Sequence, residues 1–155
     1  MQRFVTSVAS PVGPWGVEGT DDAVTAIYLP HERRAPTKGP TPRAVAAAAR
    51  QLEEYFARAR RHFTVPFATV TATQFQRDVW RALTEIPYGE VRTYAEVARR
   101  VERPNAARAV GNANHANPWP IVVPCHRVVA ANGIGGYGGG DEVKRFLLAL
   151  EGVGY

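Results

Sequence analysis

Phe4, Thr6 and Val8 alternate with polar or small residues, and Ser10-Pro11-Val12-Gly13-Pro14 then breaks the run as a turn. Extended patterning resumes over Trp15 to Gly19 and Ala23 to Leu29, separated by Thr20-Asp21-Asp22, so the chain opens as a β-meander. Pro30 to Pro42 is dense in proline and charge and reads as a loop. Val45, Ala48, Ala49, Leu52, Tyr55, Phe56 and Ala59 then recur at helical spacing, and the alanine run from Ala44 to Ala49 suits a helix. The basic cluster Arg58, Arg60 and Arg61 is expected to end that helix, where cations meet the negative end of its dipole. His62 to Ala72 looks extended and carries the boundary: an α/β domain over 1–66, a connector over 67–72 and a second domain over 73–155.

The second half is more tightly written. Thr73-Gln74-Phe75-Gln76 fits a capping box, and Phe75, Val79, Ala82, Leu83 and Ile86 supply the buried stripe of the helix it starts, which Pro87 and Gly89 end. A second capping box, Thr93-Tyr94-Ala95-Glu96, heads a short helix through Ala95, Ala98 and Val101 that Pro104 breaks. Asn105 to His115 forms a third helix rich in small residues, stopped by Asn117-Pro118. Two short helices joined by a tight turn match both a helix-turn-helix and an ordinary helical hairpin. Gly133, Gly135, Gly136, Gly138, Gly139 and Gly140 surround Tyr137; with no lysine-hydroxyl pair behind them they suit close backbone approach to a flat ligand rather than a phosphate. A last helix runs from an Asp141 cap through Val143, Phe146, Leu147 and Leu150 to Glu151-Gly152.

A chain of 155 residues with 45 % hydrophobic content is one domain or two small ones, and neither disordered nor membrane-spanning. No basic-then-apolar leader pattern opens it, so the expected compartment is the cytoplasm. The net charge of +5 suits a polyanion such as nucleic acid. Only Lys38 and Lys144 are lysines, and an arginine- and alanine-rich composition of this kind also follows from genome composition alone.

Cys125 is the single cysteine, which excludes an internal disulfide and a thiolate-rich zinc site. It lies in Pro120-Ile121-Val122-Val123-Pro124-Cys125-His126-Arg127-Val128-Val129. Ile121 to Val123 reads as a short buried strand, with the backbone turning at Pro124-Cys125 because proline interrupts a ladder. Residue chemistry leaves two readings open: a buried cysteine packing as a small hydrophobe, or a thiol whose cationic neighbours His126 and Arg127 favour the nucleophilic thiolate.

The order of several segments resembles the O6-alkylguanine-DNA alkyltransferase family. They are Phe75-Gln76 through Val79-Trp80, Ile86-Pro87-Tyr88-Gly89, Tyr94, Arg108-Ala109-Val110-Gly111, Asn117-Pro118 and Ile121 to Val129. Gly136-Tyr137, Lys144, Leu147-Leu148 and Glu151-Gly152 complete the series, which covers residues 73–152. The resemblance implies an α/β (α+β) fold: an RNase H-like β-meander and helix, then a mostly helical, winged helix-turn-helix-like domain with a short active-site strand. It implies that Cys125 accepts an alkyl group from guanine O6, and from thymine O4 as a second substrate. His126 would draw the thiol proton through a water and Glu151 would orient the imidazole. Asn117 would cap the turn before the cysteine, while Tyr94 and Lys144 would assist guanine as it leaves. A thioether has no good leaving group and no cofactor is called for, so each molecule would act once.

The resemblance further implies minor-groove binding to double-stranded DNA and flipping of the lesion base. Ala106, Ala107 and Gly111 would allow close approach, Arg108 would fill the stack, Tyr94 would turn the phosphate, and Arg127 would join the DNA-binding set. Tyr137, Gly138, Val128 and Asn114 would form the pocket, with no metal ion. Gly138, Asp141 and Asn114 depart from residues common in relatives and bear on alkyl size. A monomer is expected, with cooperative loading on DNA left open. Three other classes fit parts of the chain. A non-catalytic alkylated-DNA-binding protein that recruits repair factors typically lacks the acceptor cysteine. A helix-turn-helix regulator leaves Glu151 and the glycine loop unexplained, and a cysteine hydrolase needs an oxyanion hole that the sequence does not offer.

Overall fold

The computed structural model describes residues 3–32 and 34–155, so Arg33 in the expected loop lies outside it. The chain divides into two compact units, Met1–Val70 and Thr71–Tyr155.

In the first unit, strands β1 (Phe4–Val8), β2 (Trp15–Gly19) and β3 (Val24–Tyr28) form an antiparallel sheet in sequence order. Phe4 stands opposite Gly19 and Val8 opposite Trp15. In β2, Trp15, Val17 and Gly19 face inward while Gly16 and Glu18 do not, the period of two that a half-buried strand requires. Glu18 accepts hydrogen bonds from Thr25 Oγ1 at 2.9 Å and Tyr28 Oη at 3.0 Å, cross-strand pairing on the other face.

Helix α1 (Arg43–Phe56) buries Val45, Ala48, Leu52 and Tyr55, each of the larger ones worth about 1.5–3 kcal/mol of transfer free energy. Its N-cap Pro42 has no capping side chain, and Asp21 supplies one from a distance by accepting from Arg43 N at 2.8 Å. The helix stops at Phe56, short of the expected basic ending. Arg58 takes φ +62° and Ala59 N reaches back to Glu54 O at 2.8 Å, a left-handed termination that leaves the arginines beyond the last turn. Gln51, buried on α1, grips Thr64 twice, and Pro66 O and Ala68 N pair with Val24. Pro66 to Ala68, within the stretch that reads as an extended connector, therefore pair with β3.

The second unit begins with α2 (Gln74–Thr84) and contains α3 (Tyr94–Arg100), α4 (Ala107–His115) and α5 (Asp141–Leu150). Both capping boxes form: Thr73 Oγ1 accepts from Gln76 N at 3.1 Å, and Thr93 Oγ1 from Glu96 N at 3.1 Å, each glutamine or glutamate side chain answering the cap's own N–H. Trp80 on α2 donates its indole N–H to Ala113 O on α4 at 2.9 Å, a buried polar bond that fixes the two helices. Helix α4 starts at Ala107, two residues later than its small-residue run suggests, because Pro104 and Asn105 lie in the turn that Ala106 N closes on Arg103 O. Helix α5 starts on Gly140, whose φ of +89° makes the bend. Asp141 is the first helical residue rather than the cap, and pairs with Arg145 at 3.3 Å.

Candidate active site around Cys125

Ile121 to Val123 is not a strand. Ile121 sits at φ +76°, Val123 N closes a turn on Trp119 O at 2.9 Å, and the ladder forms only after the cysteine. There β5 (Val128–Val129) pairs in parallel with β4 (Arg92–Thr93), Arg92 opposite Val128 and Thr93 opposite Val129. Between them Cys125–Arg127 is one turn of 3-10 helix. The turn removes an obstacle that a plain strand would pose, since its successive side chains no longer point to opposite faces. Thr93 both ends β4 and caps α3, so the ladder carries Tyr94, the first residue of α3, to the strand that follows the cysteine.

The thiol is buried and 5 % exposed. Burial pushes its pKa up, and the Asn117 amide, the Tyr137 hydroxyl and the Lys144 charge oppose that rise without reversing it. Cys125 therefore rests as the neutral thiol. The charge that acts most on the sulfur is Lys144 rather than the adjacent cations expected from sequence.

His126 Nε2 stands 2.7 Å from Glu151 Oε2, with both side chains fully enclosed. Arg127 donates from Nε to Glu151 Oε1 at 2.8 Å, from Nη2 to Oε2 at 3.1 Å, and from Nη1 to Ile86 O at 2.7 Å. Gly89 N adds a fourth contact to Glu151 Oε1 at 3.3 Å. Burial alone would raise the Glu151 carboxyl, but hydrogen bonds and charge from His126 and Arg127 outweigh it and hold it well below the usual range. Burial lowers His126, against a rise from Glu151, so the ring is neutral. An ionised carboxylate only accepts, so the ring N–H must sit on Nε2 and the lone pair on Nδ1. Nδ1 is buried and has no hydrogen-bond partner among the described residues. This is a base held in one tautomer, next in sequence to a thiol. Arg127, expected among the DNA-binding residues, is turned inward as the counter-ion of Glu151 and has no face to present to DNA.

Lys144 is also fully buried. Nζ donates to Val128 O at 2.6 Å and to Gly136 O at 3.0 Å, and burial lowers its pKa to about 8. Tyr94 Oη donates to the same Gly136 O at 3.1 Å, and burial raises its pKa. Lysine and tyrosine thus tie the glycine loop to β5 and α3. Gly135 takes φ +76°, and a Cβ there would stand 3.0 Å from Tyr94 Cε2, Tyr94 Oη and Ala130 N. Only glycine fits beneath the tyrosine.

A groove of about 460 Å³ opens beside Tyr94, lined by Ala107, Arg108 and Gly111 of α4 and by Ala130, Gly135 and Gly136. Ala106 is the N-cap of α4, half-buried just before that lining, and Arg108 is exposed. The expected pocket set departs from this lining. Val128 faces the core with no exposed surface, Gly138 lies in the turn closed by Gly140 N on Tyr137 O, and Asn114 keeps a buried Oδ1 with no hydrogen-bond partner among the described residues. Tyr137 belongs to the floor of the site through its contact with the sulfur. Gly135, Gly136 and Ala130 line the groove but lie outside the expected pocket set, although the glycine spacing marks the loop as one for close backbone approach. Among the described residues no cluster of three or more His, Cys, Asp or Glu is arranged for a metal ion, and no helix is long and apolar enough to cross a membrane.

Residues 74–153 match the model of the 6-O-methylguanine DNA methyltransferase DNA-binding domain. The methylated-DNA–protein-cysteine methyltransferase of Mycolicibacterium paratuberculosis is 46 % identical over 94 % of this chain and 90 % of its own. The chain belongs to the O6-methylguanine-DNA methyltransferase family. The constitutive family member of Bacillus subtilis is 41 % identical and covers 99 % of this chain and 98 % of its own. The solved Mycobacterium tuberculosis family structure in complex with DNA superposes with a TM-score of 0.84 at 42 % identity, over 96 % of this chain and 92 % of that one. The mixed α/β architecture of both units is therefore a family architecture.

Proposed function

We propose that the chain repairs DNA by moving the alkyl group of O6-alkylguanine onto Cys125, once per molecule. One observation carries the reading: the lone cysteine precedes a neutral imidazole whose Nε2 is fixed on an ionised, buried Glu151 at 2.7 Å. The sulfur attacks the alkyl carbon in line, the S–C bond forms as the C–O6 bond breaks, and the thiol proton passes through a water to His126 Nδ1. Guanine leaves as an anion and takes a proton delivered by the Tyr94 hydroxyl, which regains one from solvent, while Lys144 and Tyr94 keep the glycine loop closed over the site. The thioether stays on the protein, and O4-alkylthymine is a second alkyl donor for the same displacement.

The lesion atom lies inside a duplex, so the base must leave the stack. Helix α4 enters the minor groove with its small residues, and Arg108 occupies the vacated space; DNA is the partner, bound by a monomer working in the cytoplasm. Intact-protein mass after incubation with an O6-methylguanine duplex tests this. One methyl on Cys125, saturating at one lesion per molecule, is expected, with Cys125→Ser binding the lesion and gaining no mass. Binding without a mass change in the wild-type protein would end the proposal.

A further inference from the structure

The segment leading into Cys125 holds a backbone conformation that its residue type disfavours. Ile121 sits at φ +76°, where a β-branched residue is a genuine outlier. Such strain persists only where the surroundings over-determine it, and it gathers at functional sites. Ile121 is 2 % exposed, so enclosure of its side chain is what holds the backbone there. Glycine would take the same φ freely, but would leave the turn free to open.

The turn carries weight at both ends. Asn117 Oδ1 accepts from Trp119 N at 3.0 Å, and Asn117 Nδ2 donates to Val123 O at 2.8 Å, so one side chain spans it. Cys125 N donates to that same Val123 O at 2.8 Å across Pro124, whose φ of −80° and ψ of 65° make an inverse γ-turn. Val123 O is therefore the junction between the amide that faces the sulfur and the backbone that carries it.

We propose that Ile121 is a positioning residue for alkyl transfer: its enclosed side chain locks the left-handed turn that sets Val123 O, and through it the Asn117 amide and Cys125. The reaction is the one proposed above, and the inference rests on that reading. The thiol itself gives a test that does not. Alkylation of Cys125 by iodoacetamide across pH reads the ionisation of the sulfur without DNA. Because the Asn117 amide favours thiolate, loosening the turn moves the rising limb to higher pH.

Ile121→Gly is expected to show that shift and to slow methyl transfer from an O6-methylguanine duplex by about 10- to 100-fold, the scale of a misplaced reacting group, with duplex affinity unchanged. Ile121→Val, which keeps the branched anchor, is the conservative rescue and returns the wild-type limb. Should the glycine variant fail to fold, Ile121→Ala is read the same way. A variant that melts earlier yet keeps the wild-type limb and transfer rate would reduce Ile121 to packing and overturn the inference. A wild-type protein that gains no methyl from DNA overturns the proposed function instead, while the iodoacetamide limb still decides the role of Ile121.

Discussion

His126 Nε2 and Glu151 Oε2 meet at 2.7 Å although their residues are 25 positions apart in sequence and neither side chain touches solvent. Arg127 completes the arrangement by neutralising the carboxylate from its other side. The glutamate is therefore shared between one residue that needs a fixed tautomer and one that needs a counter-charge. Glu151→Gln removes the charge and leaves one oxygen for the four N–H groups of His126, Arg127 and Gly89 that now share two. Breaking a buried pair by changing one partner costs about 3–5 kcal/mol, so urea unfolding should show a loss of that order. Single-turnover methyl transfer should fall by about 10²- to 10⁴-fold, the usual contribution of a general base. A variant with full stability and wild-type transfer would mean that the pair does neither job.

The same pair sets a pH dependence whose sign follows from its two shifts. Burial holds His126 below its ordinary pKa of about 6.5, so below that pH the unfolded chain binds a proton that the folded one refuses, and stability falls as pH falls. Glu151 is held low, so its contribution is complete above about pH 4.3 and is lost as the pH drops through that point toward the folded value. Two successive losses are expected on acidification in equilibrium unfolding, the first absent in His126→Gln. Stability that stays flat from about pH 7 to about pH 5 in the wild type would show a histidine that titrates alike folded and unfolded, and stability that rises over that range would show one already charged when folded.

Much of this was legible from residue order. The two capping boxes name their own hydrogen bonds, and the structure makes all four. The meander and the helix stripes were readable for the same reason: each is a local pattern with a local cause. What escaped depended on partners far along the chain. Ile121-Val122-Val123 has the composition of a strand, and only enclosure of Ile121 turns it left-handed. Arg127 beside a cysteine suggests a cation for the thiol, yet its partner is Glu151, 24 residues away. Ile86 and Gly89 serve that cluster through backbone atoms, which side-chain identity does not announce. Lys144 looked like a group for the substrate, whereas both of its bonds go to backbone carbonyls.

Gly135 gives a prediction about the groove rather than the thiol. A methyl at this position meets Tyr94 and Ala130 at 3.0 Å on a backbone at φ +76°, so Gly135→Ala must both strain the loop and displace the tyrosine. Stability should drop by about 1 kcal/mol or more, because alanine does not share glycine's freedom at positive φ. Because the groove is lined by Tyr94 and Gly135 together, transfer from a bulky O6-alkylguanine should suffer more than transfer from the methyl lesion. Competition between the two duplexes measures this, and an unchanged ratio would mean that the alkyl group lies elsewhere.

Arg108 is exposed beside Tyr94 and Gly111, on the helix proposed to enter the minor groove. Two roles predict different outcomes for Arg108→Ala. A phosphate contact is lost whether the lesion is paired or not, because the backbone charge is present in both. A stack-filling role matters only where a partner base and neighbouring pairs must be replaced, so a paired lesion should lose more than a single strand. Extrusion costs a few kcal/mol and costs least for an already unpaired base, which leaves room for a clear difference between substrates. Single-turnover transfer is expected to slow by about tenfold or more on duplex while a single strand reacts within about twofold of wild type. If both substrates slowed equally, the arginine would be a phosphate anchor and some other group would hold the stack open.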